Sequence, residues 1–285
     1  MGSSPIKIAM KLLITGSEGF MGQHLMNRFP GSRGMDKKSG ESTSDFQSLF
    51  FIVKKEQPDM IVHLGANCSS QISLRSPGMD FDDNVVGTFN VCEISRIFGI
   101  PVIFNSTMKV YPGEDGIVPP YGVSKQIGED YLKMYQQVYG TSYIINRPSS
   151  VYGPLQDGSE DGGWFTWFID AAVNNKQITL FGDGSQSRDV LYIDDCIDML
   201  ADQVNNFDLY KNQDYDWGGG QENLVSLNEL LDTLDYHNTI QAPRLPGDVM
   251  EFVTDNTKAS SINNWTPKVH WTEGLERTRA WLKSL

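Results

Sequence analysis

Tyr121 and Lys125 stand four apart in the run Pro119-Pro120-Tyr121-Gly122-Val123-Ser124-Lys125. Paired prolines suit the mouth of a helix, and a spacing of four then puts phenol and amine on one face, one turn apart. A free phenol ionises near pH ~10, too high for a base at neutral pH. A nearby ammonium and the positive end of the helix both favour the phenolate. The pair could therefore move a proton near neutral pH. Taken alone it is also what an ordinary solvated helix face carries, so the surrounding elements must decide.

Those elements begin with Gly16-Ser17-Glu18-Gly19-Phe20-Met21-Gly22. The apolar run Leu12-Leu13-Ile14-Thr15 precedes it, and a helical pattern of Phe20, Met21, Leu25, Met26 and Phe29 follows. Strand, glycine turn and helix in that order make a cradle for a pyrophosphate: tight turn, close backbone approach, helix packed on strand. The spacing is Gly-x-x-Gly-x-x-Gly. Asp36 follows Gly16 by about 20 residues, where a carboxylate accepts hydrogen bonds from an adenosine ribose and repels a 2′-phosphate. That favours NAD over NADP. Lys37 and Lys38 could instead pair with a 2′-phosphate, and all three could be solvated loop charges.

With these motifs the chain resembles the extended short-chain dehydrogenase/reductase family of nucleotide-sugar epimerases and dehydratases. Other segments that carry the resemblance are Asp59–Ala66, Asn84–Asn90, Phe104–Tyr111, Arg147–Pro154, Gly182-Asp183-Gly184 and Arg188–Asp195. It extends from about Lys11 to the C-terminus. The resemblance implies an α/β fold: a Rossmann-type doubly wound parallel sheet with a smaller C-terminal substrate-binding lobe. It implies NAD as cofactor, held by Gly16, Gly19, Phe20, Met21, Gly22, Asp36, Leu64, Gly65, Ala66, Ser106, Tyr121 and Lys125. It implies a nucleotide-diphosphate sugar as substrate, near Thr107, Met108, Lys109, Ser150, Arg188 and Arg244. Thr107 would position the reacting sugar oxygen, Tyr121 take its proton, and Lys125 tune the phenol and bind the nicotinamide ribose. A homodimer formed through the helices Asp80–Phe98 and Tyr121–Tyr139 is also implied, with Val91, Ile94, Ile97, Leu132 and Tyr135 as candidate core and seam residues.

The chain departs from the family pattern at informative places. Met108 and Lys109 stand where related dehydratases carry Asp followed by Glu or Lys. A thioether cannot donate a proton, so the dehydratase acid is missing. Lys109 could be a catalytic base, a substrate contact or a surface cation. Ser150 replaces an asparagine that commonly touches the sugar or diphosphate. The connection from Tyr111 to Tyr121 is short, which implies a more open or differently lined pocket. Arg188 matches an arginine that pairs with the diphosphate; an ion pair with Asp189 or Asp194 is the alternative.

The composition narrows the partners. In 285 residues there are 36 Asp and Glu against 23 Lys and Arg, a formal charge of −13. Such a chain is poorly suited to nucleic acid or an anionic membrane. A diphosphate must therefore be held by local cations, for which Arg147, Arg188 and Arg244 are candidates. Cys68, Cys92 and Cys196 have no metal or redox spacing, so reduced, mostly buried thiols and a cytoplasmic setting are expected. The 4 His residues show no ligand pattern, and His63 reads as a core residue near the cofactor. Met1–Pro5 reads as a leader, with Met10 as a natural start.

Apolar runs at Leu12–Thr15, Met60–Leu64, Val102–Asn105 and Tyr143–Asn146 read as strands. Phe20–Phe29, Phe46–Glu56, Asp80–Phe98 and Tyr121–Tyr139 read as helices. Their alternation argues for a parallel sheet covered on both faces. Residues 10–157 are the expected cofactor domain, with 188–204 returning to it as strand and helix. Residues 158–285 are mainly the substrate lobe, where the aromatic run Trp164–Phe168 would close over the sugar. The favoured function is an NAD-dependent nucleotide-sugar epimerase working through a transient ketone. The alternatives are a keto-sugar-nucleotide reductase, a dehydratase using Lys109, and a non-enzymatic dinucleotide-binding regulator.

Overall fold

The computed structural model describes residues 10–245 and 247–285; the leader reading of Met1–Pro5 lies outside them. Five strands in the first half are β1 (Leu12–Thr15), β2 (Arg33–Met35), β3 (Met60–His63), β4 (Val102–Asn105) and β5 (Tyr143–Pro148). The helices between them are α1 (Phe20–Arg28), α2 (Phe46–Glu56), the short α3 (Ser70–Arg75) and α4 (Pro77–Asp80), α5 (Gly87–Phe98) and α6 (Pro120–Tyr139). Alpha-helix does not begin at Asp80 and run unbroken to Phe98: Phe81–Val86 is a π-helical turn leading into α5.

All neighbours in the main sheet are parallel, in the order β2-β1-β3-β4-β5-β9. The last of these, β9, is Gln213–Trp217. Strand order reverses between β1 and β3, which opens a crevice at their carboxyl ends. Alternating side chains serve the two faces. Leu12 and Ile14 join α1 and the helix Ile193–Asn205 in one core, while Leu13 joins α2, α5 and α6 in the other.

Beyond β5 the lobe contributes β6 (Ser150–Tyr152), β7 (Ile178–Phe181), β8 (Ser187–Tyr192), β10 (Leu224–Ser226), β11 (Thr239–Ala242) and β12 (Glu251–Phe252). Its main helix, α7 (Trp164–Asn174), carries the aromatic run. The stretch from Arg188 divides. Its strand, β8, pairs with β6, β10 and β12 rather than entering the main sheet. Its helix, α8 (Ile193–Asn205), packs against α1. The sixth position of the main sheet is filled by β9. That edge strand alternates polar and apolar residues, so the apolar-run pattern of a central strand is absent.

The glycine turn is held by contact. Gly16 has φ +69°, and a Cβ there would lie 2.7 Å from the Gly65 nitrogen. A Cβ on Gly22 would lie 2.0 Å from the Gly16 carbonyl oxygen. Gly22→Ala must therefore push α1 off β1. Overpacking of this kind costs roughly 1–3 kcal/mol, and we expect a lowered thermal midpoint by calorimetry. An unchanged midpoint would contradict this packing.

Candidate active site

Gly19 is the N-cap of α1, whose first turn offers free N–H groups. Phe20 and Met21 follow in that turn, and the Met21 sulfur accepts a hydrogen bond from Asn105 at 3.5 Å. Asp36 leaves the end of β2 and reaches the glycine loop. Its carboxylate accepts from the Glu18 backbone N–H at 2.9 Å and the Lys38 N–H at 2.9 Å. Neither lysine neutralises it. Lys37 pairs with Asp83 at 2.6 Å, and Lys38 donates to the Glu18 carbonyl. Leu64, Gly65 and Ala66 leave β3 beside Gly16, where the Thr15 hydroxyl accepts from the Gly65 N–H at 3.0 Å. His63 beneath them is buried between the Thr15 and Thr88 hydroxyls, and burial lowers its pKa to about 3. These groups fit a dinucleotide: a cradle that Cβ atoms would fill, and a carboxylate at the ribose position.

Tyr121 and Lys125 lie in the first turns of α6, and both are buried. Gly122 makes this possible, since a Cβ there would lie 2.1 Å from the Lys109 carbonyl oxygen. The helix is thereby pressed onto the segment after β4. Thr107 caps the short turn Met108–Val110, accepting from the Lys109 N–H at 3.2 Å. Its side chain acts on the Tyr121 phenol in the direction of a lower pKa, but burial dominates and pushes the phenol up. Burial pulls Lys125 down to about 8, against the opposing pull of Cys68, Glu129 and Asp80. The ammonium sits 4.1 Å from the centroid of the Phe104 ring.

Beside these residues lies a cavity of about 200 Å³. Met108, Lys109, Ser150 and Arg188 line it, together with Trp164, Trp167, Phe168, Phe181 and Asp248. The Ser150 hydroxyl accepts from the Trp164 indole at 3.2 Å. Burial, then Arg188, lowers the pKa of Lys109. Arg188 pairs with Asp248 at 2.7 Å, not with Asp189 or Asp194. Asp189 is buried and accepts from the Gly220 N–H. Arg244 stands outside the lining, exposed, with Glu114 at 3.7 Å. The short connection after Tyr111 packs onto the same region: Asp115 accepts from the Gly247 N–H at 2.9 Å.

Two expectations change. The Ser106 hydroxyl turns away from the crevice and donates to Glu129 at 2.6 Å. Arg147 is committed to Glu129, Asp214 and Asp216, which leaves it no role as a free phosphate cation. Cys68 is exposed, while Cys92 and Cys196 are buried. The surrounding protein still raises the pKa of Cys68, against the opposing pull of Lys125. Asp248 and Gln71, both in the cavity lining, were not anticipated, for neither belongs to a local motif. The aromatic run of α7 was a visible signal for the wall it forms.

Fold and geometry define a dinucleotide-type α/β protein with a tyrosine–lysine pair at the carboxyl edge of its sheet. Residues 12–217 match the model of the NAD dependent epimerase/dehydratase family, and the chain belongs to that family. A CDP-paratose 2-epimerase of Salmonella typhi is 30% identical, over 97% of this chain and 100% of that one. A putative UDP-glucose 4-epimerase of Methanocaldococcus jannaschii is 29% identical, over 96% and 98%. The crystal structure of a Thermotoga maritima UDP-glucose 4-epimerase with UDP-glucose superposes with TM-score 0.86 at 27% identity, covering 96% of this chain and 99% of that one.

Asp36 leads to a prediction about cofactor choice. NADH should bind more tightly than NADPH in calorimetric titrations, and Asp36→Ala should narrow the gap. A charge-assisted hydrogen bond contributes about 1.5–3 kcal/mol, so tenfold or more is expected. Equal affinities in the parent protein would show that Lys37 or Lys38 overrides the carboxylate.

Proposed function

We propose that this protein is an NAD-dependent epimerase of a nucleotide-diphosphate sugar. The observation that carries the reading is the convergence of Thr107, Tyr121 and Lys125 beside the cavity lined by Met108, Lys109, Ser150 and Arg188. The similarity to nucleotide-sugar epimerases along nearly the whole chain supports it. The Gly16–Gly22 turn, Asp36 and the Leu64–Ala66 segment would hold NAD, with Lys125 on the nicotinamide ribose. Bound there, the nicotinamide supplies reversible hydride acceptance. Tyr121 takes the proton of a sugar hydroxyl as that carbon is oxidised, and returns it when the carbon is reduced from the other face. Thr107 orients the oxygen. Arg188 holds the diphosphate, with Arg244 at the rim.

Met108 separates this reading from dehydration. Loss of a sugar hydroxyl as water needs an acid beside it, and a thioether has no proton to give. Lys109 and Glu160 line the same cavity, and either could replace that acid. Proton NMR of the protein with NAD and a panel of nucleotide sugars tests the proposal. We expect an inverted carbinol proton and no 4-keto-6-deoxy product. Tyr121→Phe should keep the fold and lower turnover by about 10²–10⁴-fold. A 4-keto-6-deoxy product lost on Lys109→Ala would replace epimerisation by a lysine-dependent dehydration. Turnover by Tyr121→Phe within a few-fold of the parent would remove the phenol from the mechanism.

The proposal includes a cytoplasmic homodimer. Three free thiols suit a reducing compartment. Among the described residues no helix is long and apolar enough to cross a membrane. Val91, Ile94, Leu132 and Tyr135 are buried within one chain and cannot form a seam. Exposed apolar side chains on the same two helices can: Phe89, Ile97, Val123, Met134 and Val138. Light scattering should give about twice the 31.9 kDa of one chain. A monomer mass at micromolar concentration would refute the dimer.

A further inference from the structure

Two residues expected at the ligand instead meet at one buried carboxylate. Glu129 is 3% exposed and lies one turn beyond Lys125 on α6. The Ser106 hydroxyl donates to its Oε1 at 2.6 Å from the end of β4. Arg147 grips it as a fork from β5: Nε to Oε1 at 2.8 Å and Nη2 to Oε2 at 2.5 Å. The guanidinium continues to Asp214 at 2.8 Å and Asp216 at 3.3 Å on β9. The Tyr111 hydroxyl donates to Asp216 at 2.7 Å, which draws in the segment after Met108.

We propose that Glu129, clamped by Arg147 and Ser106, is a positioning residue that fixes the catalytic helix against the strand ends and supplies counter-charge to Lys125. Three strand ends and one helix close on a bidentate ion pair, the geometry that fixes orientation as well as distance. The titratable groups facing Lys125 are Cys68, Asp80 and Glu129, with His63 neutral beneath and Tyr121 one turn back. Those facing Glu129 are Arg147 and, at 3.7 Å, Lys133, with Tyr143 nearby. Arg147 compensates the carboxylate in part, and Asp214 and Asp216 compensate Arg147 in turn. The chain of alternating charges leaves Glu129 a net anion toward Lys125.

The inference rests on the proposed NAD site, so its test reads binding rather than turnover. Fluorescence titrations with NADH across pH ~6–10 should show affinity falling as Lys125 loses its proton. Glu129→Gln keeps acceptor and shape but removes the charge, and should move that fall toward acid by about one unit. Glu129→Asp keeps the charge and should hold the parental midpoint with weaker binding throughout. Near-UV circular dichroism checks that each variant is folded. A Gln midpoint equal to the parent's, or equal shifts in Gln and Asp, would overturn the counter-charge. A Gln variant that does not fold leaves Arg147→Gln to decide. Removing the guanidinium charge leaves Glu129 less compensated and should move the midpoint to alkali. Failure of that shift would overturn the inference. No NADH binding by the parent protein would instead sink the NAD site, and this inference with it.

Discussion

An ammonium held out of water governs the architecture around it. Lys125 is 2% exposed, and desolvation of a cation is costly unless charge, dipole or ring density offsets it. The offset comes from several elements together: the Phe104 ring face, Asp80 before the π-helical turn, and Glu129 one turn along α6. None of them is within salt-bridge distance, so the charge is balanced diffusely. A diffuse balance demands a rigid frame. Gly128 supplies part of it, since a Cβ there would lie 3.0 Å from the Phe104 ring and 3.1 Å from the Thr88 methyl. Gly122 supplies the rest by letting the helix mouth rest on Lys109. Helix, strand and lysine are thus fixed by two missing side chains.

The same economy of charge explains how a chain of formal charge −13 could take an anionic substrate. Most cations are already paired at the surface, and exposed pairs contribute little to stability. Inside the cavity Lys109 and Arg188 stand against Asp248 and Glu160, and Asp248 is already paired with Arg188. Burial and Arg188 both disfavour the charged form of Lys109. An anion that enters would relieve that crowding. A low local dielectric strengthens its attraction beyond what the global charge opposes.

Local chemistry was legible in the sequence where a signal was confined to one element. Leu12–Thr15, Phe46–Glu56 and Val102–Asn105 have the boundaries their apolar patterns predict. The glycine turn and Asp36 also lie together, because parallel pairing of β1 with β2 sets Met35 opposite Thr15. The illegible parts depend on partners distant in the chain. Arg147 reads as a free cation until Asp214 and Asp216 arrive on β9, 67 and 69 residues later. Ser106 reads as a ligand contact until Glu129 comes within reach. β9 itself was hidden because Asp214 and Asp216 break its apolar run, and they do so in order to meet Arg147. The missed strand and the misread arginine are one error.

Arg188 shows how a paired residue can remain available. Its Nη1 donates to the Ser187 carbonyl at 2.7 Å and its Nη2 to Asp248 at 2.7 Å. A guanidinium has five N–H donors in a fixed fork, so these two contacts fix its plane without exhausting it. Asp248 therefore acts first as an orienting group: it keeps a 9% exposed side chain in one rotamer. A diphosphate reaching the cavity would meet donors already aligned and would not have to order them. Charge neutralisation by Asp248 lowers raw affinity, while preorganisation lowers the entropy lost on binding. An enzyme that must release a product resembling its substrate is served by that balance, because geometry rather than net charge then decides what is held.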